Sequence, residues 1–248
     1  MNRNISKLLM ASFIVATSVG SASAQGIFKN IIKKVTGDTT KGSTTGSSLS
    51  NGDIVSGLKE ALNVGASASA GKLSVTDGFF KDAAVKILLP PEVQKVEKTM
   101  RTFGAGKLMD NAILSLNRAA EDASKKAAPI FLSAIKNMSI TDALGILQGG
   151  DSSATTYLRK STTSSLSAAF KPVIDSSLVK VNATKYWTDV FSTYNKFSSK
   201  KVETDLSTYV TQKAMAGMYY YVAEEEKKIR KNPASYASSI LTKVFGSK

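Results

Sequence analysis

The 248-residue sequence contains no cysteine and no histidine. Without cysteine, thiol nucleophiles, disulfides, cysteine-ligated zinc, iron–sulfur clusters and a lipobox anchor are all excluded. Without histidine, the Ser-His-Asp triad, the HExxH metalloprotease motif and an imidazole pH switch are excluded as well. The side-chain chemistry left to the chain is that of carboxylates, lysines and tyrosines, and we expect no catalytic set, metal or cofactor.

Long apolar runs are rare, and the main one lies near the N-terminus. Arg3 and Lys7 lead into an uncharged, largely apolar run over 8–20, and Ala22 and Ala24 stand where a signal peptidase reads small residues. This pattern is typical of a secretory signal peptide. The run is shorter than the ~20 residues that cross a bilayer core. We therefore expect cleavage after Ala24 and a periplasmic protein that has no transmembrane span and is not a lipoprotein.

Acidic residues are scarce relative to basic ones. The chain has 33 Lys and Arg against 19 Asp and Glu, a formal net charge of +14, and loss of Arg3 and Lys7 with the signal peptide leaves +12. The basic residues are scattered and form no patch interleaved with aromatic residues, so we do not expect a nucleic-acid partner. Lipid head groups, lipopolysaccharide, peptidoglycan or an envelope protein are the partners that this charge favours.

A short basic amphipathic segment at 25–36 follows the signal peptide. A Gly/Ser/Thr-rich stretch at 37–50 is typical of a flexible linker. The segment is either a surface or partner anchor or a loosely packed terminal helix, because so short a helix is marginal alone. The candidate anchor residues combine an apolar stripe with lysines on the other side: Ile27, Phe28, Lys29, Ile31, Ile32, Lys33 and Lys34.

Residues 51–248 carry a helical pattern nearly throughout, with no convincing strand pair. We predict an all-α, single globular domain of about eight helices, preceded by the signal peptide (1–24) and the tethered helix. Capping residues predict helix starts after Ser50, Ser139 and Asp205. Among the later helices are those expected near 163–180, 184–197, 206–230 and 234–245.

Several further expectations concern helix ends. The first helix should fade over 66–71, where the residues are small. Residues 85–89 could be extended and buried, because Pro90 disfavours helix just before it. Pro129 should kink or divide a long helix. Asp151 could cap the helix that follows Gly149-Gly150.

Apolar spacing predicts which residues of two neighbouring helices face the core. Phe103 follows Val93 at helical spacing, and Leu108 opens the stripe of the next helix. Both Phe103 and Leu108 are therefore expected to be buried. Gly104 and Gly106 separate these two helices.

Two polar clusters are candidates for a site. Asn117, Arg118 and Glu121 lie within about one turn of a helix, and they form either a structural clamp or the floor of a polar pocket. On a later helix, Tyr209, Gln212 and Lys213 form a similar polar face. A lysine in an apolar site could act as a base or nucleophile, whereas a solvated lysine would not.

The acidic run at 224–226 precedes lysines, which favours a solvated face. Glu224 with Lys228 and Glu226 with Arg230 are pairs at i, i+4 in the favourable orientation. Glycan cleavage needs two carboxyls about 5–9 Å apart, one with a raised pKa. The sequence alone identifies no pair of carboxylates as suited to glycan cleavage.

Four segments together resemble a family of bacterial envelope proteins known as domain of unknown function 4197. The segments are DIVSGLKEALNVG (53–65), VKILLPPEVQKVEKTMRTFG (85–104), NRAAEDASKKAAPIFLSAIKNMSITDALGILQGGD (117–151) and DLSTYVTQKAMAGMYYYVAEEEKKIRKNPA (205–234). The resemblance covers about residue 50 to the C-terminus and implies a helical envelope protein, without assigning catalytic residues.

Two hypotheses for function follow. The first is a non-enzymatic binding or interaction protein of the cell envelope. The alternative is a binder of a small or lipid-like ligand, or a carboxylate- or lysine-based hydrolase of the periplasm.

Overall fold

The computed structural model describes residues 50–180 and 205–232, together with Ala183, Thr184, Trp187 and Asn195. Within this part of the chain the regular structure is helical and no strand occurs, so the all-α prediction is confirmed. The predicted signal peptide, tethered helix and linker lie outside the described residues. So do nearly all of 184–197 and the whole of 234–245, and the predicted total of about eight helices stays a prediction.

The described helices pack around a core shared by the three longest of them and α3. We number them α1 Asn51–Leu73, α2 Gln94–Thr102, α3 Gly106–Ser124, α4 Ala127–Lys136, α5 Ile140–Gln148, α6 Ser153–Lys180 and α7 Leu206–Lys231. A 3₁₀ turn at Pro91–Val93 leads into α2. Helix α7 packs against α1, α3 and α6, and α3 also packs against α6. Within the described ranges no single helix is long and apolar enough to cross a membrane. The sharply bent pair α4 and α5 together has the length and composition of a membrane span, by those two criteria alone.

Local capping rules predicted several helix starts correctly. Ser50 and Ser139 each form a capping box with the aspartate three residues later, and the carboxylate of Asp205 accepts from the backbone N–H of Thr208. Each side chain satisfies an N–H group that has no partner inside the helix. A break between α3 and α4 separates Ser124 from Ala127, just before Pro129.

Two predictions about helix length were wrong. Helix α1 does not fade over 66–71 but runs to Leu73, because its small residues Ala66 and Ala70 are buried and contribute to the core. Helix α6 begins at Ser153 rather than near 163. Its first turn is capped by a side chain from α7, which the local sequence could not reveal.

Phe103 and Leu108 were also predicted wrongly. Phe103 is 83% exposed and Leu108 is 58% exposed, whereas Val93 is buried as expected. Full burial in α3 begins only at Ile113, and before it Met109 alone packs, half-buried, against the core among the described residues. Helical spacing identifies an apolar face but not whether a neighbour covers it.

Close packing at Gly217 supplies a test of this architecture. A Cβ at Gly217 would lie 2.7 Å from Phe79 Cε1 and 3.2 Å from Val85 Cβ, so G217A should lower the free energy of unfolding by about 1–3 kcal/mol. At Gly145 in α5 a Cβ would meet nothing within 4 Å, and G145A should stabilise by about 0.5 kcal/mol through helix propensity. Urea unfolding of both variants measures these changes. Equal effects at the two glycines would contradict the packing described.

Candidate functional site

The candidate site is built around the segment 74–90, which joins α1 to the 3₁₀ turn through the core. Asp77 adopts a left-handed conformation at φ 69°, and a Cβ on Gly78 would lie 2.6 Å from the carbonyl oxygen of Lys72. Asp77 and Gly78 therefore form a turn that requires glycine at its second position. The buried apolar residues of the segment are Phe79, Val85, Ile87 and Leu89.

Asn117 binds the middle of this segment. Its Oδ1 accepts from the N–H of Ile87 at 2.8 Å, and its Nδ2 donates to the carbonyl of Ile87 at 2.9 Å. The same Nδ2 donates to the carbonyl of Ile113 at 2.7 Å, one turn earlier in α3. Asn117 is fully buried, and a buried amide with three such bonds has little capacity left for a ligand.

Glu121 binds the start of the segment. One of its oxygens accepts from the N–H groups of Phe79 at 3.0 Å and Phe80 at 3.1 Å. Arg118 donates to its other oxygen at 2.6 Å and to Asp77 at 2.6 Å. Hydrogen bonds and charge from Asp77 and Glu121 raise the pKa of Arg118 despite its partial burial. These contacts are those of a clamp that satisfies buried backbone groups.

Tyr209, from the second predicted cluster, reaches the same segment. Its hydroxyl donates to the carbonyl of Leu88 at 2.7 Å, one residue beyond the peptide groups that Asn117 binds. Lys213 lies 5.6 Å from the Tyr209 ring. Asn117 and Tyr209 thus approach adjacent residues of one segment from α3 and α7.

Gln212 is exposed and lies apart, in an open groove between α6 and α7. The groove has a volume of about 830 Å³ and is lined by Thr163, Ser164, Ser167, Ala168, Lys171, Pro172, Asp175, Thr208, Thr211, Gln212 and Met215. A ligand at either predicted cluster stays an untested prediction.

A third polar cluster, absent from the sequence predictions, joins the segment to α1 and α7. The hydroxyl of Tyr221 donates to Asp82, and Lys72 Nζ lies 3.1 Å from Asp82 Oδ2 and 3.8 Å from the Tyr221 ring centroid. Burial alone would raise the pKa of Asp82. The bonds from Tyr221, Lys72 and the N–H of Ala84 outweigh it, and the pKa of Asp82 is lowered.

Glu226 was wrongly placed on a solvated face. It is 5% exposed, and its carboxylate accepts from the N–H groups of Ala154 and Thr155 at 3.0 and 2.9 Å. Arg230 pairs with it at 2.8 Å, as the i, i+4 spacing predicts, and also donates to the carbonyl of Ile146 in α5. Glu226 therefore caps α6 in place of Asp151, which is exposed.

The neighbouring acidic residues are half-buried rather than solvated, with the Glu224 side chain 34% exposed and that of Glu225 15% exposed, and their partners differ from those predicted. Lys227 pairs with Glu224 at 2.8 Å and Lys228 pairs with Glu225 at 2.6 Å, both at i, i+3. Among the residues that the structure describes, no three Asp or Glu side chains are grouped as they would be to hold a metal ion.

A family described as "Protein of unknown function (DUF4197)" matches residues 48–246. The chain belongs to this family. No curated protein and no solved structure matches the sequence of this chain. The clamp residues Asn117, Arg118 and Glu121 and the cap residues Glu226 and Arg230 all lie inside the part of this DUF4197 protein that the family match covers.

Asn117 tests whether the clamp supports the fold. N117A removes the partners of both Ile87 peptide groups, so the free energy of unfolding should fall by about 2–4 kcal/mol. Amide hydrogen exchange at Ile87 should accelerate with it. The control is N111A, at an exposed position of the same helix, which should leave both quantities unchanged. Wild-type exchange at Ile87 in N117A would show that the clamp does not hold the segment.

Asp82 predicts a pH dependence of stability. Because its pKa is lowered on folding, its contribution is full above the unfolded value of about 3.9 and is lost as the pH falls through the lower folded value. The stability difference between wild type and D82N should therefore shrink as the pH falls below about 4. Urea unfolding at a series of pH values measures this difference. D122N, at a more exposed carboxylate, is the control, and a wild-type–D82N difference that stayed constant down to pH 2 would contradict the prediction.

Proposed function

We propose that this protein is a non-enzymatic binding protein of the bacterial cell envelope, exported through its signal peptide and held on an anionic envelope surface. The observation that carries the proposal is the coincidence, within 25–36, of an apolar stripe with three lysines. Such a segment lies in a membrane interface, with its apolar face among the lipid chains and its lysines near anionic head groups.

The first predicted polar cluster is used by the fold rather than by a catalytic site. Asn117 and Glu121, which could have lined a polar pocket, instead bind backbone groups of the 74–90 segment. A carboxyl that acts as general acid needs a raised pKa. Hydrogen bonds and nearby cations instead lower the pKa of Asp77, and they outweigh burial to lower the pKa of Asp82 and Asp205.

A second candidate function is the binding of a small polar ligand in the groove between α6 and α7. The observation that favours it is the lining, in which Ser164 and Ser167 accompany the exposed amide of Gln212. Lys171 at one side is bound to Asp205 at 3.0 Å. Hydroxyls and an amide of this kind fit a neutral, hydroxyl-rich ligand better than a strongly charged one.

Sedimentation with vesicles and with peptidoglycan tests the first proposal. Residues 25–248 should pellet with vesicles that contain phosphatidylglycerol or with peptidoglycan, and added salt should weaken the binding. K29E/K33E/K34E should weaken it by more than about tenfold, since each lysine near an anionic surface contributes about 1 kcal/mol.

The matched control reverses three exposed lysines of the domain, K125E/K126E/K136E. It makes the same change in net charge outside the apolar stripe, so the proposal expects a smaller loss. Failure of the wild-type chain to pellet with either material would refute the proposal. Equal losses in the two variants would show that net charge alone, rather than the tethered segment, governs binding.

A further inference from the structure

The turn between α2 and α3 forms a tip, which we define as residues 98–110. Every residue of α2 whose side chain is described is exposed or half-buried, and within the described structure α2 packs mainly against α3 and the 3₁₀ turn. In the first two turns of α3 Met109 is half-buried against the core, and full burial begins only at Ile113. The described side chains on either side of Met109, including Phe103 and Leu108, lie at the surface of the domain.

Arg101 makes this tip a defined structure rather than a loose loop. Its guanidinium lies 2.9 Å from Glu97 on α2 and 2.8 Å from Asp110 on α3, so it bridges the two helices. Gly104 turns the chain at φ +86°, a conformation that L side chains rarely adopt. The end of α2 and the start of α3 are thus joined by the Arg101 ion pair across the turn at Gly104.

Two large apolar side chains of the tip are exposed to solvent. Phe103 is 83% exposed, the highest value among the large apolar residues of the described chain, and Leu108 is 58% exposed. An isolated exposed apolar residue is ordinary. Two at one turn, whose helices the Arg101 bridge connects, form a surface suited to insertion into an apolar medium.

The charged residues around the tip indicate which kind of apolar medium it would enter. Arg101 offsets only one of the two negative charges of Glu97 and Asp110, and with both lysines residues 97–110 keep a net charge of +1. Lys98 and Lys107 are exposed on either side of Phe103, and within the described part of the chain no carboxylate forms a salt bridge with either. Two such tips would repel each other, which disfavours a second copy as the occupant. A surface with negative charge outside and an apolar interior is complementary to both features.

We infer that the 98–110 tip is a membrane-insertion element that places Phe103 and Leu108 among the acyl chains of an anionic bilayer, with Lys98 and Lys107 at the lipid phosphates. This inference rests on the proposed function and deepens it. It gives the domain its own lipid contact, separate from the tethered segment, and selects anionic lipid as the surface.

Vesicle binding by the full chain from residue 25 tests the inference. F103S/L108S should lower the partition coefficient on vesicles of phosphatidylglycerol and phosphatidylethanolamine by about tenfold, because two apolar side chains no longer leave water. The matched control is I140S/V179S, which removes two apolar residues that are 61% and 62% exposed elsewhere on the domain. It should change binding by less than about twofold.

The absence of native cysteine permits a second readout at the tip itself. T102C, labelled with an environment-sensitive fluorophore, should show a blue-shifted emission on these vesicles and none on pure phosphatidylcholine vesicles. S133C, at an exposed position on α4, should show no shift on either. A shift confined to T102C supports insertion of the tip and does not depend on the fold of the serine variants.

The remaining outcomes separate this inference from the proposed function. Full vesicle binding by F103S/L108S, together with no emission shift at T102C, would refute insertion of the tip and leave envelope binding intact. So would wild-type binding to peptidoglycan but not to vesicles. If the wild-type chain forms a dimer in vesicle-free buffer and F103S/L108S dissociates it, the tip binds a second copy of the chain rather than lipid. Wild-type binding to neither vesicles nor peptidoglycan would refute both.

Discussion

The fold depends on how the buried backbone of the 74–90 segment is hydrogen-bonded. This segment contributes Phe79, Ile87 and Leu89 to the core, yet around these residues it has no helix or sheet to pair its peptide groups. An unpaired buried N–H costs about as much as a lost hydrogen bond. Asn117 and Glu121 supply the missing partners for four peptide groups, the N–H groups of Phe79, Phe80 and Ile87 and the carbonyl of Ile87. Their position on α3 explains why a polar face there belongs to the interior.

The same constraint acts at the ends of α5 and α6. The first N–H groups of α6 and the last carbonyls of α5 have no partners inside their own helices. Glu226 and Arg230 reach both ends from α7, and each compensates the charge of the other. Removing one member of such a pair leaves a buried charge, which typically costs 3–5 kcal/mol. Polar side chains thus satisfy backbone groups at two separate places, the 74–90 segment and the facing ends of α5 and α6.

Features of this fold that depend on local rules are predictable from the sequence. Ser50, Ser139 and Asp205 cap helices because a capping side chain binds an N–H two or three residues away. The family match likewise agrees with the resemblance stated from four segments. The failures share a physical cause, which is separation along the chain. Glu226 lies 72 residues from Ala154, and no local pattern could show that it displaces Asp151 as the cap of α6. Burial of Phe103 would likewise need a neighbouring element to cover it, and Phe103 is 83% exposed.

The distribution of charge connects this architecture to function. After the expected processing the chain carries 31 basic residues and 19 acidic ones, so at least 12 basic side chains cannot be paired one to one with a carboxylate. Several of the described carboxylates are already bound within the fold, as Asp77, Glu121 and Glu226 are by arginines. The unpaired charge must therefore lie on side chains such as Lys98 and Lys107, which face the solvent. Anions outside the protein have to balance it, and the proposed insertion of the tip would place lipid phosphates beside Lys98 and Lys107.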